Sequence, residues 1–143
     1  MALRARSREW AYGLAMPGDD ALTDPIPGTA HQSFGPVEID VATVGDARIR
    51  RCTYPPGLRW SKDLKPLLDT DLCEHAHVGF LASGALTYVY ADGCEVVLEA
   101  PAVVDVAPGH DAYVVGDQPA IVIEVDLLGD TVARLGLAPA HTH

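Results

Sequence analysis

The chain has 143 residues, of which 48% are hydrophobic and 21% are charged. This composition is typical of one globular domain, and the length is too short for two ordinary domains. Ten basic residues stand against twenty acidic ones, and the formal net charge of −10 repels a phosphate backbone or an anionic membrane surface. No apolar run is long enough to cross a bilayer. We therefore expect neither nucleic acid nor a membrane as a partner.

Cysteine usage favours a reduced setting. Cys52, Cys73 and Cys94 are odd in number and too sparse for a disulfide framework. The basic start of the chain is followed by Gly13, Pro17 and acidic residues rather than by an apolar core, so we expect no signal peptide. Both features predict a cytoplasmic protein.

Residues 1–33 are interrupted repeatedly by proline and glycine, and we interpret them as an irregular N-terminal arm. Trp10 and Leu14 are four residues apart and would share one side of a short helix over residues 7–14. A flexible end accounts for this stretch equally well. An arm with these two side chains could also lie on a partner subunit.

From residue 37 to residue 127 the pattern is that of short β-strands. Residues 37–41 alternate between apolar and polar, and Gly45 with Asp46 is typical of a hairpin turn before residues 47–54. Further extended segments are expected at 78–83, 86–90, 94–99, 101–106, 112–115 and 120–127. Short strands at regular spacing, with no βαβ period, predict an all-β sandwich or barrel.

The end of the chain has a different pattern. Residues 129–136 can form one or two helical turns, and residues 140–143 read as a frayed tail. We interpret the two histidines of this tail, His141 and His143, as incidental rather than as ligands.

The densest cluster of metal-binding side chains lies in residues 70–79, where Cys73, His75 and His77 follow Asp71 at alternate positions. Alternate side chains of a strand share one face, so these four side chains could point the same way. The spacing is compatible with a metal site. It is equally compatible with an edge strand whose polar residues face water.

Two segments carry a resemblance to the cupins. Residues 79–84 (GFLASG) resemble the end of the first cupin motif, and residues 104–112 (VDVAPGHDA) resemble the second motif. Together with residues 56–61 (PGLRWS), they are similar to a group of small single-domain bacterial cupins of unsettled activity. The resemblance covers about residues 34–127. It implies an all-β fold, namely a double-stranded β-helix (jelly-roll) barrel over residues 34–128. The arm of residues 1–33 would precede this barrel, and a short C-terminal helix and tail at residues 129–143 would follow it.

The ligand positions of these motifs depart from the usual pattern. Counted back from the glycine that ends the first motif, the glutamate place falls on His77 and the two histidine places fall on Asp71 and Cys73. In the second motif the histidine place falls on Ala112, while His110 precedes it by two residues. A metal would need a rearranged set of ligands.

We predict that Cys73, His77 and His110 form this set, with His75 as a fourth ligand. A thiolate with imidazoles favours a divalent transition metal such as zinc, iron(II) or nickel over magnesium or calcium. The alternative is that Cys73 is a small buried hydrophobic residue and that His110 only hydrogen-bonds its own turn.

A second candidate feature is the basic and aromatic connection around Arg59 and Trp60. Such a loop at the mouth of a barrel can hold a carboxylate while the indole packs on the substrate. With Tyr88 and Tyr113, these residues form our predicted substrate pocket. The alternatives are that Trp60 fills the core, that Arg59 pairs with a surface acid and that both tyrosines are ordinary packing residues.

The cupin resemblance implies a metal-binding protein that acts on a small anionic organic molecule, with the metal as a Lewis acid or as an activator of water or oxygen. A homodimer is expected, because one sheet edge of such a fold commonly needs cover. The alternative is a non-catalytic cupin that binds or senses a small molecule in an apolar pocket without metal. Fold alone does not distinguish an enzyme from a binding protein.

Overall fold

The computed structural model describes residues 20–143, so the predicted helix over residues 7–14 lies outside the described residues. The described part is mostly β-structure, as predicted, with two short α-helices and a 3₁₀ turn at Lys65–Leu67. The strands are β1 (Ala30–Phe34), β2 (Val37–Val44), β3 (Ala47–Tyr54), β4 (His77–Ser83), β5 (Ala85–Tyr90), β6 (Glu95–Glu99), β7 (Ala102–Val106), β8 (His110–Val114) and β9 (Ala120–Leu127). The helices are α1 (Trp60–Asp63) and α2 (Thr131–Leu135).

The strands form two antiparallel sheets. The larger sheet has the order β1-β2-β3-β9-β4-β7, and the smaller sheet has the order β6-β5-β8. One cluster of buried apolar side chains draws on both sheets, with Leu81 and Val122 from the larger and Leu86 and Tyr88 from the smaller. Alternation along each strand therefore buries one face of each sheet in a common core.

The predicted hairpin turn at Gly45 is confirmed, since β2 and β3 pair up to Val44 opposite Ala47. Gly45 has a φ of +60°, a backbone conformation that favours glycine in a two-residue turn. Strand β1 lies before the first strand that the sequence pattern indicated, and it extends the sheet by pairing with β2.

The chain before β1 covers part of the outer face of the larger sheet. The buried guanidinium of Arg51 donates hydrogen bonds to the carbonyl oxygens of Ala21 (3.3 Å) and Asp24 (2.7 Å) and to the carboxylate of Asp40. Residues 20–24 are thus held against the sheet by one cation. Neither α-helix in residues 20–143 has the length or the apolar character to span a bilayer.

Candidate metal centre

Cys73 and His110 are brought together by their backbones. The amide of Cys73 donates to the carbonyl of His110 at 2.8 Å, and the amide of Gly109 donates to the carbonyl of Cys73 at 2.7 Å, which makes an isolated antiparallel bridge. Both side chains are buried, and His110 is only 1% exposed. This bridge places a thiol and an imidazole, 37 residues apart in the printed sequence, on the same end of the core.

His77 completes a group of three. It is the first residue of β4, and its Nε2 atom lies 3.8 Å from Sγ of Cys73. The ring centroids of His77 and His110 are 5.1 Å apart. One potential ligand atom from each of the three residues lies within 4.8 Å of the other two.

Both imidazoles are oriented through their other nitrogen. Nδ1 of His77 donates to Oε1 of Glu124 at 2.7 Å, and Nδ1 of His110 donates to the carbonyl of Ala107 at 2.7 Å. Histidines that bind metals usually have such a partner, because it sets the ring orientation and the tautomer. Within residues 20–143, Nε2 of His110 is buried and lacks a hydrogen-bond partner.

These residues fit a metal ion. A buried polar atom normally has a partner, so the orphaned Nε2 of His110 is consistent with a ligand other than the residues 20–143 that the structure describes. A thiolate with two imidazoles is a donor set for zinc, iron(II) or nickel, and three protein ligands leave a coordination position open.

His75 lies to one side of this group. Its side chain is 36% exposed, and its Nε2 atom is 2.8 Å from the guanidinium of Arg50. With His77 and Glu124 it forms a separate group of potential ligands, also within 4.8 Å. The structure therefore brings His75 near the centre but not into the same group as Cys73.

The common strand face expected for Asp71, Cys73, His75 and His77 is not formed. Strand β4 begins only at His77, because Cys73 pairs with His110 instead of continuing the ladder of β4. The Asp71 side chain is fully exposed and forms an ion pair with Lys65. Asp71 is therefore not grouped with the buried thiol.

Sequence reasoning missed two charged residues of the site, Glu124 and Arg50. Glu124 is 1% exposed on β9, and Arg50 lies directly opposite on β3 and donates to its carboxylate at 2.7 Å. A signal was present, because two acidic residues, Glu124 and Asp126, stand at inward positions of strand β9, in alternation with Val122. A carboxylate at such a position requires a buried partner.

The charges of the site are coupled. Burial raises the pKa of the Cys73 thiol, but the imidazoles of His110 and His77 outweigh it and lower this pKa from 9.0 to about 6. Burial lowers the pKa of His77, but Glu124 and Cys73 outweigh it and raise this pKa from 6.5 to about 10. Burial likewise raises the pKa of Glu124, and His77 and Arg50 reverse this and lower it from 4.5 to about 2. At neutral pH the metal-free site thus holds a thiolate, an imidazolium and a carboxylate.

This coupling predicts an unusual dependence of stability on pH in the metal-free protein. The raised pKa of His77 contributes stability below pH 6.5 that is lost as the pH rises towards about 10, whereas the lowered pKa of Cys73 contributes stability above pH 9.0 that is lost as the pH falls towards about 6. Between pH 6.5 and 9.0 the folded and unfolded chains each hold one proton on this pair, so its two effects cancel.

The free energy of unfolding can be measured with urea in the presence of a chelator. Between pH 6.5 and 9.0, Cys73 and His77 together should make no net contribution to its pH dependence. In Cys73→Ser only the histidine remains, and stability should decline steadily from about pH 6.5 upward. If the free energy of unfolding of Cys73→Ser varied with pH in the same way as that of the parent protein, the proposed coupling between the charges of Cys73 and His77 would be contradicted.

A cavity of about 180 Å³ opens beside these residues. Its polar lining residues are Arg50, Cys73, His75, His77, His110 and Glu124, and the remaining walls are mostly apolar. The apolar and aromatic lining residues are Phe34, Val37, Ile39, Cys52, Tyr54, Leu58, Trp60, Leu64, Leu68, Leu86, Tyr88 and Ala112. The volume suits a small organic molecule, below the size range of common ligand pockets.

The four residues predicted for the substrate pocket divide into two pairs. Trp60 and Tyr88 are buried and line the cavity. Arg59 and Tyr113 lie outside the cavity lining in the described part of the chain. The Arg59 guanidinium is 2.9 Å from the carboxylate of Asp111 and lies over the Tyr113 ring, 5.1 Å from its centroid.

No protein-family profile matches the chain, and no curated protein matches it. Among solved structures, it is similar to a crystal structure of CapF with the inhibitor 3-isopropenyl-tropolone, with a TM-score of 0.45 and 13% sequence identity. The similar region covers 71% of this chain and 31% of the CapF chain. This chain therefore spans less than a third of the protein that it resembles.

Proposed function

We propose that the protein is a small metal-binding cupin in which Cys73, His77 and His110 hold one divalent transition-metal ion beside a pocket for a small organic molecule. The observation that carries this proposal is the convergence of the three donors, with the second nitrogen of each imidazole held by Glu124 or Ala107. The group of His75, His77 and Glu124 is less suitable, because Arg50 already occupies both His75 and Glu124.

The strand order supports a jelly-roll arrangement. Strands β3-β9-β4-β7 form one side, and β8-β5-β6 form the other, where the isolated bridge between Arg59 and Tyr113 stands in for a fourth strand. This order is the one expected of two interlocked Greek keys, and it supports the jelly-roll topology that cupins have.

The bound ion would supply Lewis acidity to a ligand oxygen or would activate water or oxygen. The protein's own residues determine what reaches it. The apolar walls select a small molecule with an apolar body, and Trp60 and Tyr88 supply two of the aromatic surfaces. The cation at the cavity is Arg50 rather than Arg59, and its Nε is buried without a partner within residues 20–143. An anionic group on the ligand would meet this guanidinium.

Metal binding to the untagged protein tests the proposal. Zinc titration by calorimetry should show that Cys73→Ser, His77→Ala and His110→Ala each lose binding at this centre, with affinity lowered at least about 100-fold. His31→Ala is the matched control, because His31 also contacts two carboxylates but lies on β1. It should bind zinc like the parent protein.

Zinc, iron(II) and nickel titrations in which these three variants all behave like the parent would contradict the metal centre. They would favour the alternative, a metal-free protein that binds or senses a small apolar molecule. Trp60 lines the cavity in either case, so in a Trp10→Phe variant, where it is the remaining tryptophan, quenching of its fluorescence by small organic acids reports ligand binding independently of metal.

We also propose a homodimer. The outer face of the larger sheet carries exposed Ile49, Phe80, Val103 and Val125, of which Phe80 pairs with Val103 and Ile49 pairs with Val125. Such an apolar strip is typical of a protein interface. Sedimentation equilibrium should give the mass of two chains, and Val103→Lys should shift it towards one.

A further inference from the structure

The C-terminal tail returns to the turn between β5 and β6. The ring of His141 stacks on the ring of Tyr90, with the centroids 3.9 Å apart and the planes inclined by 12°. Nε2 of His143 lies 2.6 Å from Oδ2 of Asp92. The tail is thus held at two points on the β5–β6 hairpin.

The hairpin presents two further potential ligands in a preformed arrangement. The amide of Gly93 donates to the carbonyl of Tyr90 at 2.9 Å, and the amide of Cys94 donates to Oδ1 of Asp92 at 2.9 Å. These bonds order the turn and leave the second carboxylate oxygen of Asp92 facing the tail. One ligand atom from each of Asp92, Cys94, His141 and His143 lies within 4.8 Å of the other three.

A surface ion pair does not account for this arrangement. His143 and Asp92 are 71% and 46% exposed, and ion pairs at such exposure contribute little to stability. Such a pair does not explain why Cys94 lies close to the same group, or why a ring nitrogen of His141 is buried without a partner. Within residues 20–143, Nε2 of His141 is buried without a hydrogen-bond partner, which is uncommon in a native structure.

The donor set identifies the kind of ligand. Two imidazoles, a thiol and a carboxylate make four donors, the number that a tetrahedral zinc site requires. Calcium and magnesium prefer sites built of oxygen atoms, which this one is not. The four donors form two pairs, Asp92 with Cys94 on the hairpin and His141 with His143 on the tail. One residue separates the two members of each pair, and a bound metal would join the two pairs.

We propose that Asp92, Cys94, His141 and His143 form a second metal site, which binds a zinc-class divalent ion and fastens the C-terminal tail to the β5–β6 hairpin. This site is independent of the centre at Cys73. Tail residues Leu137, Ala138 and Ala140 line a cavity together with Tyr90 and other core residues. The ion would hold this segment over the cavity. It would also cross-link residues 94 and 141, which are far apart in the sequence, and so restrict the unfolded chain.

Cobalt(II) is a suitable probe, because a cobalt–thiolate bond gives a charge-transfer band in the near ultraviolet. The untagged full chain with Cys73→Ser removes the thiol of the first centre. Cys52 does not compete, because burial raises the pKa of its thiol to about 12. In this background Co²⁺ should still produce the charge-transfer band, with about one such ion bound per chain.

Adding Cys94→Ser to this background should abolish the band, and adding His141→Asn with His143→Asn should weaken Co²⁺ binding at least about tenfold. His31→Asn is the control and should change neither. Zinc should also slow carboxypeptidase digestion of the Cys73→Ser tail and should not do so after Cys94→Ser. A band and an affinity that survive both sets of substitutions would overturn the second site, whatever the outcome at Cys73.

Discussion

Arg50→Met is expected to lower the free energy of unfolding by about 3 kcal/mol, because it removes one of the cations that face the buried carboxylate of Glu124 and leaves it with the imidazolium of His77. Arg50 donates to Glu124 at 2.7 Å, lies 3.6 Å from Asp126 and contacts His75 at 2.8 Å. Of these partners, Glu124 and Asp126 are each 1% exposed. Methionine keeps most of the volume and removes the charge, so urea unfolding at neutral pH measures the electrostatic loss.

The double variant Arg50→Met/Glu124→Gln separates this cause from simple loss of packing. Removing both charges should restore part of the stability, since a buried pair replaced as a whole costs less than one broken in half, and the thiolate of Cys73 still faces His77. Arg134→Met is the surface control, because its pair with Asp46 is exposed, and it should change stability by less than about 0.5 kcal/mol. A single Arg50→Met variant as stable as Arg134→Met would show that Glu124 does not depend on this cation.

Gly79→Ala is expected to destabilise the protein by about 3 kcal/mol and to disturb the proposed metal centre. A methyl group at residue 79 would fall on the carbonyl oxygen of Ile123 and would lie 2.9 Å from Cα of Glu124. Both obstacles are backbone atoms, so β4 and β9 would have to move apart. His77 lies on β4 and Glu124 on β9, and their hydrogen bond spans this pair of strands.

Stability by urea unfolding and zinc affinity by calorimetry should therefore fall together in Gly79→Ala. Gly45→Ala is the matched control. It has a positive φ but open space around the added carbon, so it should cost only about 1–2 kcal/mol and leave zinc affinity unchanged. Equal losses of stability in the two variants, with zinc binding intact in both, would contradict the close approach of β4 and β9 as a requirement of the site.

The charged residues beside the proposed metal centre form one connected set. Glu124 orients His77, and Arg50 neutralises Glu124, so the ring that faces Cys73 is positioned by a chain of buried ionic contacts. Buried charges are costly unless every partner is present. The buried charges of Arg50 and Glu124 therefore indicate a polar site within a largely apolar core.

The sequence by itself determined the local features. The alternation of apolar and polar residues places the β-strands, and glycine with aspartate at residues 45–46 marks the hairpin between β2 and β3. These properties depend on residues that are neighbours along the chain, so the two-residue alternation of a β-strand can be recognised in the sequence alone. The same local view identified Cys73, His75, His77 and His110 as candidates, because thiols and imidazoles are uncommon and were close together or near a turn.

Only the tertiary structure decided which of these side chains meet. Cys73 reaches His110 through a backbone bridge between distant segments, Glu124 meets His77 across two strands, and Arg59 turns away to Asp111. Two histidines that look incidental in the sequence converge with Asp92 and Cys94. Such contacts depend on the register and order of strands far apart in the chain, and a one-residue change in register would send each side chain to the opposite face.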